Sequence, residues 1–93
     1  MITDDFSVRA DATPNPNSRK FTTNRVLGEG RAQTYASPEE AFAAPLARDL
    51  LAVAGVKSVF ILRDFVTITR EPDAAWETIA AQVEAVLHAH FGE

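Results

Sequence analysis

The sequence predicts an α+β fold, a two-layer sandwich with a largely antiparallel sheet and the element order β-β-(β)-α-β-β-α. Two observations carry this prediction. β-Branched and aromatic runs on either side of Arg63 and Asp64 predict an antiparallel hairpin over 56–70. Apolar residues recur at helical spacing further on, which predicts a long amphipathic helix over 72–93. With 93 residues and 46% hydrophobic content, the chain is expected to form a single domain over 1–93.

Two strands are expected near the N-terminus. The stretch 5–12 alternates weakly, with Phe6 and Val8 on one side, and 18–24 contains Phe21 and the β-branched Thr22 and Thr23. The connection between them contains Pro14 and Pro16, each of which fixes its own φ and favours an extended residue before it. The Asn-Ser pair that follows can close a turn with side-chain hydrogen bonds. The segment is therefore predicted to be a rigid corner between two neighbouring strands.

A glycine-containing loop is expected over 25–32, followed by a short strand over 32–36 with Tyr35 facing inward. The sequence SPEE over 37–40 has the pattern of a helix start, with a capping serine and a glutamate three residues later. Because an interior proline breaks a helix, a short turn is expected first, and the main helix is expected to begin at Pro45 and end before Gly55.

The long C-terminal helix is expected to have Asp73 as its N-cap and to end at Gly92. Residues 59–62 are apolar on both faces of their strand, so that strand is either central in the sheet or covered by a partner. The predicted core consists of Phe21, Tyr35, Leu46, Leu50, Val59, Ile61, Val66, Ile68, Trp76, Ile79, Val83 and Leu87.

Composition excludes several classes of function. The chain contains no cysteine, which excludes disulfides, thiol catalysis and a cluster held by its own thiolates. His88 and His90 lie two positions apart and point roughly 200° away from each other on a helix, so they cannot chelate one metal together. The acidic residues have the positions of helix caps and solvated faces, and no nucleophile motif is present. No catalytic residue, metal site or cofactor is therefore predicted.

Charge and hydropathy bear on partners and location. The net charge of −4 disfavours a nucleic-acid-binding protein. No apolar run approaches the about 20 residues needed to span a bilayer. The N-terminus lacks the features of a signal peptide, and the absence of cysteine fits a cytosolic protein, so a cytoplasmic location is expected.

The polar residues around the corner are the candidate binding residues, because loops on a rigid scaffold often carry function. The alternative is that they serve turn chemistry and solvation alone. The candidate partner-binding loop consists of Asn15, Asn17, Ser18, Arg19 and Lys20.

Several motifs together resemble the N-terminal domain of Nfu/NifU-type iron–sulfur cluster scaffold proteins. They are TPNPNSRKF (13–21), SPEEA (37–41), PLA (45–47), AGVKSVF (54–60), DFVTIT (64–69) and Trp76. The resemblance implies two helices packed on one face of an antiparallel sheet and a link to iron–sulfur cluster assembly or delivery. In two-domain members of that family a Cys-x-x-Cys motif in a separate C-terminal domain holds the cluster, so the family's ligands carry over to no residue of this chain.

Three functional hypotheses follow. The first is a non-catalytic accessory domain near cluster assembly, with assembly proteins or apo clients as its expected protein partners. The second is a small-ligand or peptide-binding module unrelated to that pathway. The third, an enzyme using the N-terminal loop, lacks an acid–base or nucleophile constellation in the sequence. The sequence does not predict an oligomeric state.

Overall fold

The predicted α+β architecture and element order are confirmed by the computed structural model, which describes residues 7–37, 39–42 and 44–91. Five strands and two helices are present in these ranges. They are β1 (Val8–Ala12), β2 (Ser18–Thr23), β3 (Gly28–Tyr35), α1 (Pro45–Leu51), β4 (Val56–Arg63), β5 (Phe65–Arg70) and α2 (Trp76–Phe91).

The five strands form one sheet in the order β1-β2-β5-β4-β3, and every neighbouring pair is antiparallel. β4 lies between β5 and β3, so its predicted central position is confirmed. Phe60 and Leu62 point away from the buried Val59 and Ile61 and are half-buried. The strand directions follow from short connections. The proline-containing corner joins β1 to β2, and a two-residue turn joins β4 to β5.

One face of the sheet is covered by the two helices. Phe21, Val59 and Ile68 point toward this side and are fully buried in one cluster with residues of α1 and α2. Because side chains alternate across a strand, the residues between them face the other side. All predicted core residues other than Tyr35 and Trp76 are buried, and Ala41, Ala47 and Val53 are buried in addition.

The placement of Tyr35 and Trp76 in the core was wrong in degree, since both are half-buried and pack against the edge of the cluster. Tyr35 lies on β3, an edge strand, where its hydroxyl donates a hydrogen bond to Gln33 Oε1 at 2.9 Å. Trp76 is the first residue of α2 and has a polar partner in the corner, which is described below. In each case a polar atom holds the ring at the boundary with solvent.

The loop predicted over 25–32 ends earlier than expected, because β3 already begins at Gly28. Pairing with β4 outweighs the low strand propensity of glycine here. The register between β3 and β4 shifts between Gly28 and Gln33, so the early part of the strand accommodates an irregularity of the ladder.

The start of the long helix was also predicted wrongly, since α2 begins at Trp76 and Asp73 lies in the preceding turn. The amide of Ala74 donates to Glu71 O at 2.9 Å to close that turn, and Ile79 donates to Ala75 O at 3.1 Å at the helix start. The predicted end at Gly92 lies outside the described residues.

The first helix begins at Pro45, as predicted, and is preceded by turns over 39–42. The capping pattern forms in these turns. Glu40 accepts a hydrogen bond from the Ala36 amide at 2.8 Å, and its own amide donates to Ser37 Oγ at 3.4 Å. The serine–glutamate signal therefore marks a turn that leads into a helix later in the chain.

Candidate functional site

The connection between β1 and β2 is a rigid corner that satisfies its own hydrogen bonds. We define the proline corner as residues 13–17. Ser18 donates its amide hydrogen to Asn15 O at 3.0 Å, so Pro16 is the second residue of a β-turn, a position that favours proline. The Asn17 amide donates to Asn15 Oδ1 at 2.9 Å, and the Asn15 amide donates to Thr13 Oγ1 at 3.1 Å. The predicted structural role of this segment is confirmed.

Two residues, Arg70 and Trp76, fasten the proline corner to the end of β5 and the start of α2. Trp76 donates its indole Nε1 hydrogen to Pro16 O at 3.2 Å. Arg70 donates its amide hydrogen to Asn17 O at 2.8 Å, and its Nε lies 3.4 Å from Asn17 Oδ1. Arg70 Nη1 also donates to Ala74 O at 2.8 Å. One arginine thus ties the corner to the turn that precedes α2.

Two guanidinium groups lie against the ring of Trp76. The Cζ atom of Arg19 is 4.8 Å from the ring centroid, and that of Arg70 is 5.5 Å from it. Such cation–π contacts contribute about 0.5–1 kcal/mol each at exposed sites. We call these three residues the Arg–Trp–Arg cluster. It lies at the end of the domain where the proline corner meets the start of α2.

The five sequence-predicted site residues do not form one surface. Arg19 is on the helix-covered side of β2, where it stacks on Trp76. Ser18 and Lys20 are on the other side, because residues next to each other in a strand point to opposite faces. Ser18 Oγ lies 2.9 Å from Thr69 Oγ1, and Lys20 Nζ lies 4.3 Å from the centroid of the Phe65 ring.

Asn15 and Asn17 lie in the proline corner, where their side-chain oxygens hold backbone or arginine donors. The loop prediction therefore brought together residues of two different environments. It missed Arg70, the last residue of β5, and Trp76, the first residue of α2. No short-range pattern links them to the corner, since they are more than 50 positions away in the sequence.

The charge at the cluster is not neutralised by ion pairing. Ion pairs closer than 4.0 Å within the described ranges include Arg9–Asp11, Arg48–Asp49 and His90–Asp49. Neither arginine of the cluster takes part in one. A pair of guanidinium groups thus lies on a chain whose net charge is −4.

The donor atoms of this chain do not fit an iron–sulfur cluster. The chain has no cysteine, and clusters are held by thiolates, with histidine as a partial replacement in some centres. His90 Nε2 already lies 2.8 Å from Asp49 Oδ2. The described part of the chain contains no group of three or more His, Cys, Asp or Glu side chains arranged to hold a metal ion. It also has no helix of the length and apolarity that crossing a membrane requires.

Comparisons with known proteins identify the relatives of this chain. The family model described as "Scaffold protein Nfu/NifU N terminal" matches residues 8–93. The human protein named "NFU1 iron-sulfur cluster scaffold homolog, mitochondrial" is 38% identical over 85 residues, which cover 90% of this chain and 34% of that protein. Its counterpart from Drosophila willistoni is 41% identical over 85 residues, which cover 90% of this chain and 29% of the relative. The chain thus spans about a third of the length of these curated relatives.

Solved structures show the same fold. The crystal structure of protein SAV1430 from Staphylococcus aureus superposes with a TM-score of 0.76 at 36% identity, over 86% of this chain and 96% of that one. The solution structure of a NifU-like protein from Saccharomyces cerevisiae gives a TM-score of 0.80 at 21% identity, over 100% of this chain and 87% of that one. The second likeness concerns the fold alone.

Proposed function

The chain belongs to the family of Nfu/NifU scaffold N-terminal domains, and from this premise we propose that it is a non-catalytic interaction domain serving iron–sulfur cluster assembly or delivery. In this role the domain has no cluster ligands of its own. The cluster is cargo that another domain or another protein holds through cysteine thiolates. The partners are cluster-assembly proteins or the apo proteins that receive clusters.

The observation that carries the proposal is the rigid mounting of Arg19. Its guanidinium lies on a ring that is hydrogen-bonded to the proline corner, and the corner in turn is closed by its own hydrogen bonds. A surface that is ordered before binding loses little conformational entropy when a partner docks. Two prolines, two asparagines and a tryptophan thus hold one unpaired cation in place at the surface of the domain.

The experiment is affinity capture with the purified 93-residue chain, followed by quantitative mass spectrometry. We expect cluster-assembly proteins or apo iron–sulfur proteins to be enriched on the parent chain and depleted on Arg19→Glu. Lys57→Glu is the matched control, since it makes the same charge change at an exposed position of β4. Recovery of partners unrelated to cluster assembly contradicts the proposal and favours the alternative, a small-ligand or peptide-binding module outside that pathway.

A cytoplasmic location stays a prediction. The curated relatives described above carry names that place those proteins in mitochondria. Fractionation of the source cells, with detection of the native protein by antibody, tests the location separately from the function.

A further inference from the structure

We propose that the Arg–Trp–Arg cluster binds a carboxylate of an acidic peptide segment on the partner protein. This inference rests on the proposed function, because it gives the chemistry of the partner at the same surface. The contact is a hydrogen-bonded ion pair between Arg19 and an Asp or Glu side chain of the partner.

The first step of the argument concerns the free hydrogen-bond donors of Arg19. A guanidinium group has five N–H donors, all in its plane. The Cζ atom of this group lies 4.8 Å from the centroid of the Trp76 ring, and no carboxylate lies within 4.0 Å of the group in the part of the chain described. No hydrogen bond or ion pair engages this side chain within the described residues, so the N–H edge of the guanidinium is available. A carboxylate can then accept two parallel hydrogen bonds from this edge, which is the geometry that arginine recognises best.

The second step concerns the cost of ordering. A free arginine side chain on a surface loses rotamer entropy when it is fixed by a ligand. Here Trp76 limits the motion of Arg19 through stacking, and the hydrogen bond to Pro16 O fixes Trp76 in turn. Arg70 is held still more firmly, by its contacts with Asn17 and Ala74. Much of the ordering cost is therefore met in the folded domain before the partner arrives.

The third step concerns the kind of anion. The turn before α2 and its first helical turn carry the exposed acids Glu71, Asp73 and Glu77, next to the cluster in sequence. A polyanion such as a nucleic acid has a charge at every repeat and would be repelled by these side chains as well as by the net charge of the chain. A peptide can place one carboxylate on Arg19 and direct its uncharged groups elsewhere. The local charge pattern thus favours a short acidic protein segment.

Trp76 provides a direct readout, because it is the single tryptophan of the chain. The probe is a blocked peptide with a single Glu flanked by glycines, and its matched control is the same peptide with Gln in place of Glu. In titrations followed by tryptophan fluorescence, we expect a saturable change with the Glu peptide, weakened by added salt, and none with the Gln peptide. Inorganic phosphate is titrated in parallel.

Three variants of the chain locate the contact. Arg19→Gln is expected to weaken binding of the Glu peptide by roughly tenfold or more, the loss typical of a charge-assisted hydrogen bond. Arg19→Lys keeps the charge without the planar fork and is expected to weaken binding by a smaller factor. Lys57→Gln is expected to bind like the parent. Circular dichroism melts of each variant verify that it is folded.

The assignment is overturned if the Glu and Gln peptides titrate alike, or if folded Arg19→Gln binds the Glu peptide as the parent does. Phosphate that binds as tightly as the peptide makes the cluster a small-anion site and also contradicts the assignment. Failure of this proposal is distinguishable from failure of the proposed function. If Arg19→Glu captures assembly proteins as well as the parent does, the proposed function is supported and this contact is contradicted. If the chain binds the Glu peptide but captures no assembly proteins, the contact is supported and the proposed function is contradicted.

Discussion

The indole nitrogen of Trp76 donates a hydrogen bond to the carbonyl oxygen of Pro16, 60 positions away in the sequence. The bond joins the first residue of α2 to the turn between β1 and β2. It gives the half-buried Trp76 ring a polar partner and fixes the position of the proline corner relative to α2. The binding surface proposed above depends on this bond together with the contacts between Arg70 and Asn17.

The first prediction concerns Trp76. Trp76→Phe removes the hydrogen bond and keeps an aromatic ring, and we expect a loss of about 1 kcal/mol in the free energy of unfolding. Trp76→Ala is expected to cost about 2–3 kcal/mol, less than the 3–5 kcal/mol typical of a fully buried aromatic residue, because the ring is half-buried. Urea melts measure both values. Phe42→Ala is the control, since Phe42 is 77% exposed and its loss is expected to cost less than about 0.5 kcal/mol. If Trp76→Ala and Phe42→Ala lower the free energy of unfolding equally, the structural role given to Trp76 is contradicted.

The elements with strong local patterns were predictable from the sequence, and those that depend on distant partners were less so. The alternation in 56–70 predicted the hairpin of β4 and β5, and Pro45 marked the start of α1. β3 was predicted too short, because its glycines give a loop signal that pairing with β4 overrides.

The same distinction holds for the candidate site. Turn-forming residues predicted the proline corner, because the information lies within a few positions. The apolar spacing of α2 placed Trp76 in the core, and nothing in that spacing indicates a carbonyl acceptor in a loop 60 positions away. Likewise, strand alternation places Arg19 on the same face as the predicted core residue Phe21, but nothing in the alternation indicates that Arg19 meets Trp76 there.

The second prediction concerns Gly55, which lies in the turn between α1 and β4 with a φ of 93°. A Cβ at this position would lie 2.8 Å from Ala74 Cβ and 3.1 Å from Ile79 Cδ1. Gly55→Ala is therefore expected to cost about 2–4 kcal/mol, from overpacking together with the left-handed backbone. The neighbouring Ala54 is exposed, and Ala54→Gly serves as the control with a cost of about 1 kcal/mol or less. If Gly55→Ala and Ala54→Gly have the same urea midpoint, the expected crowding at position 55 is contradicted.

The third prediction concerns the hairpin turn between β4 and β5, whose sequence left the turn type open. Leu62 pairs with Phe65, so the turn consists of Arg63 and Asp64. Arg63 has a φ of 57° and is the one non-glycine residue with positive φ within the described ranges. This conformation costs a non-glycine residue about 1–2 kcal/mol. Glycine relieves this strain but also increases the conformational entropy of the unfolded chain, which offsets part of the gain. We therefore expect Arg63→Gly to raise the free energy of unfolding by about 0.5–1 kcal/mol.

The comparison variant for this turn is Arg63→Val, because a β-branched side chain is the least compatible with positive φ. It is expected to destabilise the domain, so the order of thermal midpoints should be glycine, then arginine, then valine. A glycine variant that melts below the parent would show that the arginine side chain contributes more than its backbone conformation costs.

The fourth prediction concerns binding of an iron–sulfur cluster by the chain itself. Because no thiolate is available, anaerobic reconstitution of the chain with iron and sulfide should leave no stable cluster after desalting. Absorption spectra and iron and sulfide analysis measure the outcome. His90→Ala, which removes the ring next to Asp49, should give the same result as the parent. A stoichiometric chromophore in the parent would require ligation by carboxylate or imidazole groups and would contradict the proposed division of labour.

The fifth prediction separates the structural role of the proline corner from direct recognition by a partner. Asn15 Oδ1 accepts the Asn17 amide hydrogen, so Asn15→Ala removes an acceptor inside the turn, at an expected cost of about 1 kcal/mol. Asn15→Asp keeps the acceptor and should retain most of this stability. Asn17→Ala is the matched control, because the carbonyl that receives the Arg70 amide remains and only the longer contact of 3.4 Å is lost. Its expected cost is below about 0.5 kcal/mol.

Binding of the captured partner then distinguishes two roles for these asparagines. If they act by holding the corner, the loss of affinity follows the loss of stability, so Asn15→Ala weakens binding more than Asn17→Ala does. If the partner contacts their side chains directly, Asn17→Ala weakens binding while its thermal midpoint stays at that of the parent. We expect the first pattern, since both side-chain oxygens already lie against donors of this chain. Calorimetric titration of each variant, beside its thermal melt, measures the two quantities, and a stable Asn17→Ala variant that fails to bind would reverse this assignment.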